Sequence, residues 1–121
     1  MTFSPLTLLG QQLKCCETVK EVEHYLIGEW KIQSSNSDIE YHYWQENGKI
    51  YLSMVEPTEL KKEYLLVEHD FTVRVEKTNR GFKIQTTNLN GNWSSELKYL
   101  NSKKLILITD GNETEYYNIE E

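Results

Sequence analysis

The chain has 121 residues, 38% hydrophobic, 12% aromatic and 26% charged, a globular balance that excludes a disordered polypeptide and is long enough for one core without staples. The formal charge of −6, with only Arg74 and Arg80 as arginines, excludes a nucleic-acid surface, because phosphate binding needs a concentrated Lys/Arg field. Eight Tyr and three Trp belong to the residue types that favour pleated, half-buried strands.

Residues 1–28 carry a helical pattern in two pieces. Ser4-Pro5 opens the first, with Ser as N-cap and Pro at the first helical position, and Leu6, Leu9, Leu13 and Cys16 share a face. Thr18-Val19-Lys20-Glu21 is a capping-box pattern that opens the second, with Val19, Val22 and Leu26 on one face. Gly28 is placed to close that helix in a left-handed C-cap. Leu6 to Leu9 is too short to span a membrane, and no basic segment precedes it, so neither a membrane span nor a secretory leader is expected. Cys15 and Cys16 are adjacent. Neighbouring residues rarely pair with each other, so free thiols and a reducing, cytoplasmic location are expected.

From Glu29 onward the hydrophobic period is two. Nine strands are predicted, at 29–36, 38–46, 49–56, 61–68, 71–78, 82–88, 92–100, 104–110 and 114–119. Asn47-Gly48 is a two-residue hairpin signal, and Asn79-Arg80-Gly81, Asn88-Leu89-Asn90-Gly91 and Asp110-Gly111-Asn112 supply residues that tolerate positive φ. Short sequential hairpins leave no room for crossovers, so the sheet is an antiparallel meander, and closing it removes its edges. The fold class is therefore mostly β: an up-and-down barrel of eight or nine short strands over 29–119, covered or capped by the helical segment 1–28, all in one domain. A strongly bent open sheet wrapped around the helix shares the same alternation. Pairing of the first strand with the last separates the two.

Alternation assigns inward sets. Ile50, Leu52 and Met54 form one; Phe71, Val73 and Val75 another; Phe82, Ile84 and Thr86 a third; Trp93, Ser95, Leu97 and Tyr99 a fourth. In strand 38–46 the set Ile39, Tyr41 and Tyr43 is preferred inward over Glu40, His42 and Trp44, because a carboxylate facing the core is costly. Leu105-Ile106-Leu107-Ile108 is apolar on both faces and calls for a second layer, for which the N-terminal helices are the obvious cover.

Chemical motifs are sparse. His24, His42 and His69 are scattered, so no metal site is expected, and no nucleophile elbow, phosphate loop or dinucleotide motif is present. The chain reads as non-catalytic and without a cofactor. Asn92-Trp93-Ser94 and Asn112-Glu113-Thr114 match glycosylation sequons, and with no leader expected they are read as chance matches.

Gly28-x-Trp30, at the junction of helix and meander, resembles the opening signature of the lipocalin (calycin) superfamily, and the likeness extends over about residues 20–119. The resemblance implies a barrel in which Gly28 and Trp30 are structural, the Trp closing the base. Lipocalins commonly carry an Arg near the last strand that packs across this Trp; here no Arg follows Arg80, so the likeness is to small bacterial lipocalin-like domains. It further implies binding of one small apolar ligand inside the barrel. Tyr41, Tyr43, Met54, Phe82, Trp93 and Tyr99 are the candidate ligand-binding residues, since apolar walls with a few polar tips are the composition of a ligand site. Seven-residue strands span only about 23 Å, which favours the rival arrangement, a filled interior with Tyr hydroxyls at the rims. The alternative function is an interaction module that meets a protein partner through exposed aromatics such as Trp44 and Tyr51, or through the N-terminal helix.

Overall fold

The computed structural model describes residues 15–34, 36–57, 64–89 and 91–119, with side chains described from 71 onward in the third segment. One helix, α1 (Val19–Leu26), forms where the capping box predicts it. The Thr18 hydroxyl accepts the Glu21 N–H at 3.2 Å, and the Glu21 carboxylate accepts the N–H groups of Thr18 at 3.1 Å and Glu17 at 2.7 Å. Donors that no helical carbonyl reaches are thereby satisfied. Val22 and Leu26, four residues apart, are fully buried. The helix ends differently from expectation. Ile27 is the cap, in an extended conformation with its N–H bonded to the Glu23 carbonyl, and Gly28 is already the first residue of the first strand. The earlier predicted helical piece lies outside the described residues.

Eight strands follow: β1 (Gly28–Ile32), β2 (Glu40–Glu46), β3 (Lys49–Pro57), β4 (Tyr64–Thr78), β5 (Gly81–Asn88), β6 (Gly91–Leu100), β7 (Lys104–Thr109) and β8 (Asn112–Asn118). Each pairs antiparallel with the next, and β8 returns to pair with β1 through Trp30–Asn118, Lys31–Tyr117 and Ile32–Tyr116. The sheet is a closed barrel, not a bent open sheet. The predicted strands at 61–68 and 71–78 are one strand of 15 residues. Its ladder with β3 shifts register on both sides of Met54, and such bulges bend a strand enough to wind it around a barrel.

Turn chemistry sets the hairpins. Asn47 and Gly48 have φ of 54° and 79°, and Asp110 and Gly111 have 53° and 82°. Two successive positive φ values match the right-handed twist of the flanking strands, and Asn, Asp and Gly adopt them at least cost. The buried core is formed by Trp30, Tyr43, Ile50, Leu52, Phe71, Val73, Val75, Phe82, Ile84, Leu97, Leu105 and Leu107. Cys16, Val22 and Leu26 join this core, which places α1 at the end where β1 begins and β4 finishes; there the Lys77 ammonium donates to the Glu17 carbonyl at 3.1 Å. α1 packs mainly against β4 and β6, so it is not the layer over the outward residues Ile106 and Ile108, which are half-buried.

Two further expectations are corrected. Leu97 and Leu100 both face inward because the β6–β7 register shifts between Leu97 and Tyr99, and this bulge turns Tyr99 out of the barrel. The cysteines are not free: the sulfurs of Cys15 and Cys16 are bonded to each other, with Cα atoms 3.7 Å apart. Adjacent side chains diverge on a helix or strand. These two residues lie in a bend before α1, where their sulfurs meet. A bonded pair gives no support for a reducing compartment. No helix among the described residues is long and apolar enough to cross a membrane.

Candidate functional site

Three tyrosines converge inside the barrel. Tyr41 stands opposite Trp30 on β1 and Met54 on β3, Tyr43 opposite Gly28 and Leu52, and Tyr116 opposite Ile32 on β1 and Leu105 on β7. The rings of Tyr41 and Tyr116 meet edge to face, 5.4 Å apart at 81°. Burial pushes the Tyr43 phenol well above its ordinary pKa, with Tyr116 and Tyr41 adding to the rise. Burial, followed by Tyr41, pushes Tyr116 up to about 12, and burial also raises Tyr41. All three therefore stay protonated at neutral pH and offer hydroxyls, not phenolates. The Tyr43 side chain is buried, and no described group makes a hydrogen bond to its hydroxyl.

Met54 and Trp93 are partly buried beside this core, and Trp93 meets Phe71 edge to face at 5.1 Å. Tyr41 and Met54 lie near the start of β2 and the end of β3, and Trp93 near the start of β6, all at strand ends away from α1. Deeper in, Ser95 and Thr109 pair hydroxyl to hydroxyl at 2.6 Å. Of the six candidate residues, Tyr41, Met54 and Trp93 thus belong to the interior on this side, while Tyr43, in the middle of β2 and opposite Gly28, lies deeper, towards α1. Phe82 is interior but stands beside the β4–β5 turn, opposite Lys77 and Leu97, towards α1. Tyr99 is outside, its ring 5.5 Å from the Lys104 ammonium and its hydroxyl accepting from the Asn101 amide at 3.2 Å. Tyr116 escaped the sequence reading because Tyr116-Tyr117 offers an aromatic residue to either face of β8.

The outer face of β1–β3 is a second cluster. Glu29 stands directly opposite His42, and Glu40 accepts from or pairs with His42 Nε2 at 2.8 Å. Glu40 points outward as expected, yet it is only 8% exposed, and its cross-strand partner Val55 is buried as well. Next to them the Trp44 indole N–H donates to Ser53 Oγ at 3.0 Å, and Trp44 stacks on Tyr51 with centroids 4.6 Å apart. Both rings are half-buried, spent largely on each other. One ligand atom from each of Glu29, Glu40 and His42 lies within 4.8 Å of the others, a donor set that fits a cation. Its sequence signal is Glu40-x-His42, two steps on one strand face.

No protein-family model matches the chain, nor does any curated protein or solved structure.

Proposed function

We propose that this protein is a lipocalin-like, non-catalytic barrel that binds one small apolar or amphipathic ligand among Tyr41, Tyr43, Met54, Trp93 and Tyr116. The observation that carries it is the Tyr43 hydroxyl, buried beside two further phenols without a described hydrogen-bond partner. Burying an unsatisfied hydroxyl costs about 1–3 kcal/mol, so a filled core has no reason to keep it. A ligand whose polar end reaches the phenols would satisfy it, while Met54 and Trp93 face the apolar body. The lipocalin likeness is supported by the eight-stranded meander closed on itself and by Trp30, fully buried directly after α1. The interaction-module reading draws less support, because Trp44 and Tyr51 stack on each other and the Trp44 N–H is already bonded.

The test is titration with an environment-sensitive apolar dye, read by dye and Trp fluorescence. One saturable site is expected, weakened by Tyr43→Phe and blocked by Met54→Trp, with Tyr99→Ala behaving as wild type. No saturable binding to the folded protein overturns the proposal.

A further inference from the structure

The donors on the outer face of the barrel have no part in the interior site. Glu29 and His42 are cross-strand partners in the β1–β2 ladder, and Glu40 precedes His42 by two residues, so all three project from one side of the sheet. Register alone brings such residues close; what is unusual is where their polar atoms end. Glu40 is buried to 8% exposure and its carboxylate is 2.8 Å from His42 Nε2, while the Glu29 carboxylate turns to within 4.8 Å of both. A carboxylate withdrawn from water needs compensation, and a second carboxylate brought to the same point raises the need. His42 Nε2 meets the Glu40 carboxylate. A dication facing both carboxylates compensates them together.

We propose that Glu29, Glu40 and His42 bind one divalent transition-metal ion, with Zn²⁺ the best-matched species. One imidazole nitrogen with two carboxylate oxygens suits Zn²⁺ and its neighbours, whereas Ca²⁺ and Mg²⁺ take oxygen donors throughout. Zinc bonds to nitrogen and oxygen are about 2.0–2.2 Å, so donors around one ion stand roughly 3–4 Å apart. Separations from 2.8 Å up to 4.8 Å reach that range by side-chain rotation, with both strands left in place. His42 Nε2 turns its lone pair to the ion and the ring proton sits on Nδ1. Three protein donors leave the fourth tetrahedral position to water. The ion ties β1 to β2, two strands joined by the long connection 33–39 instead of a tight turn.

Calorimetric titration of the untagged, oxidised chain with ZnCl₂ tests this, because the Cys15–Cys16 bond keeps thiols from competing. The expected result is one ion per chain and a melting temperature that rises with added zinc. His42→Ala should weaken binding by at least about 100-fold, and the isosteric Glu29→Gln and Glu40→Gln by at least about tenfold each. His24→Ala, on α1, should bind like wild type. Circular dichroism establishes that each variant is folded before titration. Glu29 is half-exposed, so Glu29→Gln decides the matter if His42→Ala fails to fold. The proposal is overturned if the folded wild type takes up no zinc saturably, or if Glu29→Gln leaves the affinity unmoved.

Discussion

The indole N–H of Trp30 donates to the carbonyl of Leu26 at 2.9 Å, and both residues are fully buried. The bond joins the first strand to the last turn of α1, where a helix carbonyl has no partner within the helix. Truncation to Trp30→Ala should cost about 3–5 kcal/mol, as for other large core side chains. Trp30→Phe keeps most of the volume and strands the carbonyl, so its cost should be smaller, about 1–3 kcal/mol. Urea unfolding followed by circular dichroism measures both. Equal losses for the two variants would mean that the hydrogen bond, not the packing, carries the effect.

The helix start has a pH signature. N–H groups of Glu17 and Thr18 hold the Glu21 carboxyl below its usual value of 4.5, so the folded state binds this proton less readily than the unfolded one. The associated stability is present above pH 4.5 and disappears as pH falls through the lowered value. Wild type and Glu21→Gln should differ in melting temperature at neutral pH and converge in acid. Thr18→Ala should cost about 1 kcal/mol, as expected for an N-cap.

The tyrosine trio predicts alkaline behaviour of the opposite sign. Tyr41, Tyr43 and Tyr116 resist ionisation in the fold, whereas an unfolded phenol ionises near 10. The stability gained by burying neutral phenols is intact below pH 10 and is lost as pH rises towards about 12, the value for Tyr116. Absorbance of phenolate against pH should show a late phase that coincides with unfolding. Tyr43→Phe should shrink that phase and move unfolding to higher pH.

The bonded cysteines predict a thiol count. The folded, oxidised chain should release no thiol to a colorimetric reagent, and two after reduction and denaturation. Cys16 lies in the core beside Val22 and Leu26, so reduction should also lower the melting temperature. Two reactive thiols in the untreated protein would contradict the bond.

The contrast between β2 and β1 shows what the sequence makes legible. Asn47-Gly48 dictates a two-residue turn, which sets the β2–β3 register and with it the pairs Trp44–Tyr51 and Glu40–Val55. Alternation within β2 then places Tyr41 and Tyr43 inside. The connection 33–39 dictates no register, so nothing in the string of letters places Glu29 opposite His42. Tyr99 failed for another reason. A bulge inserts one residue into the ladder, and residue types around Lys98 give no Gly or Pro to announce it. The unbroken β4 is the converse case: polar His69-Asp70 reads as a gap between strands, yet the strand runs through both, at the register shift between Glu68 and Phe71.

Closure of the barrel also governs how fast it forms. Ile32 must find Tyr116, whereas the seven ladders that link them pair strands consecutive in the chain. Bringing together distant segments costs loop entropy before any contact rewards it, so the seam between β1 and β8 is the slowest pairing to make. Until then β1 has one unsatisfied edge, open to capture by another chain. It is only five residues long and carries Glu29 and Lys31 on its outward side, features that discourage such capture. A nascent chain therefore waits for its last strand with a short, charged edge exposed.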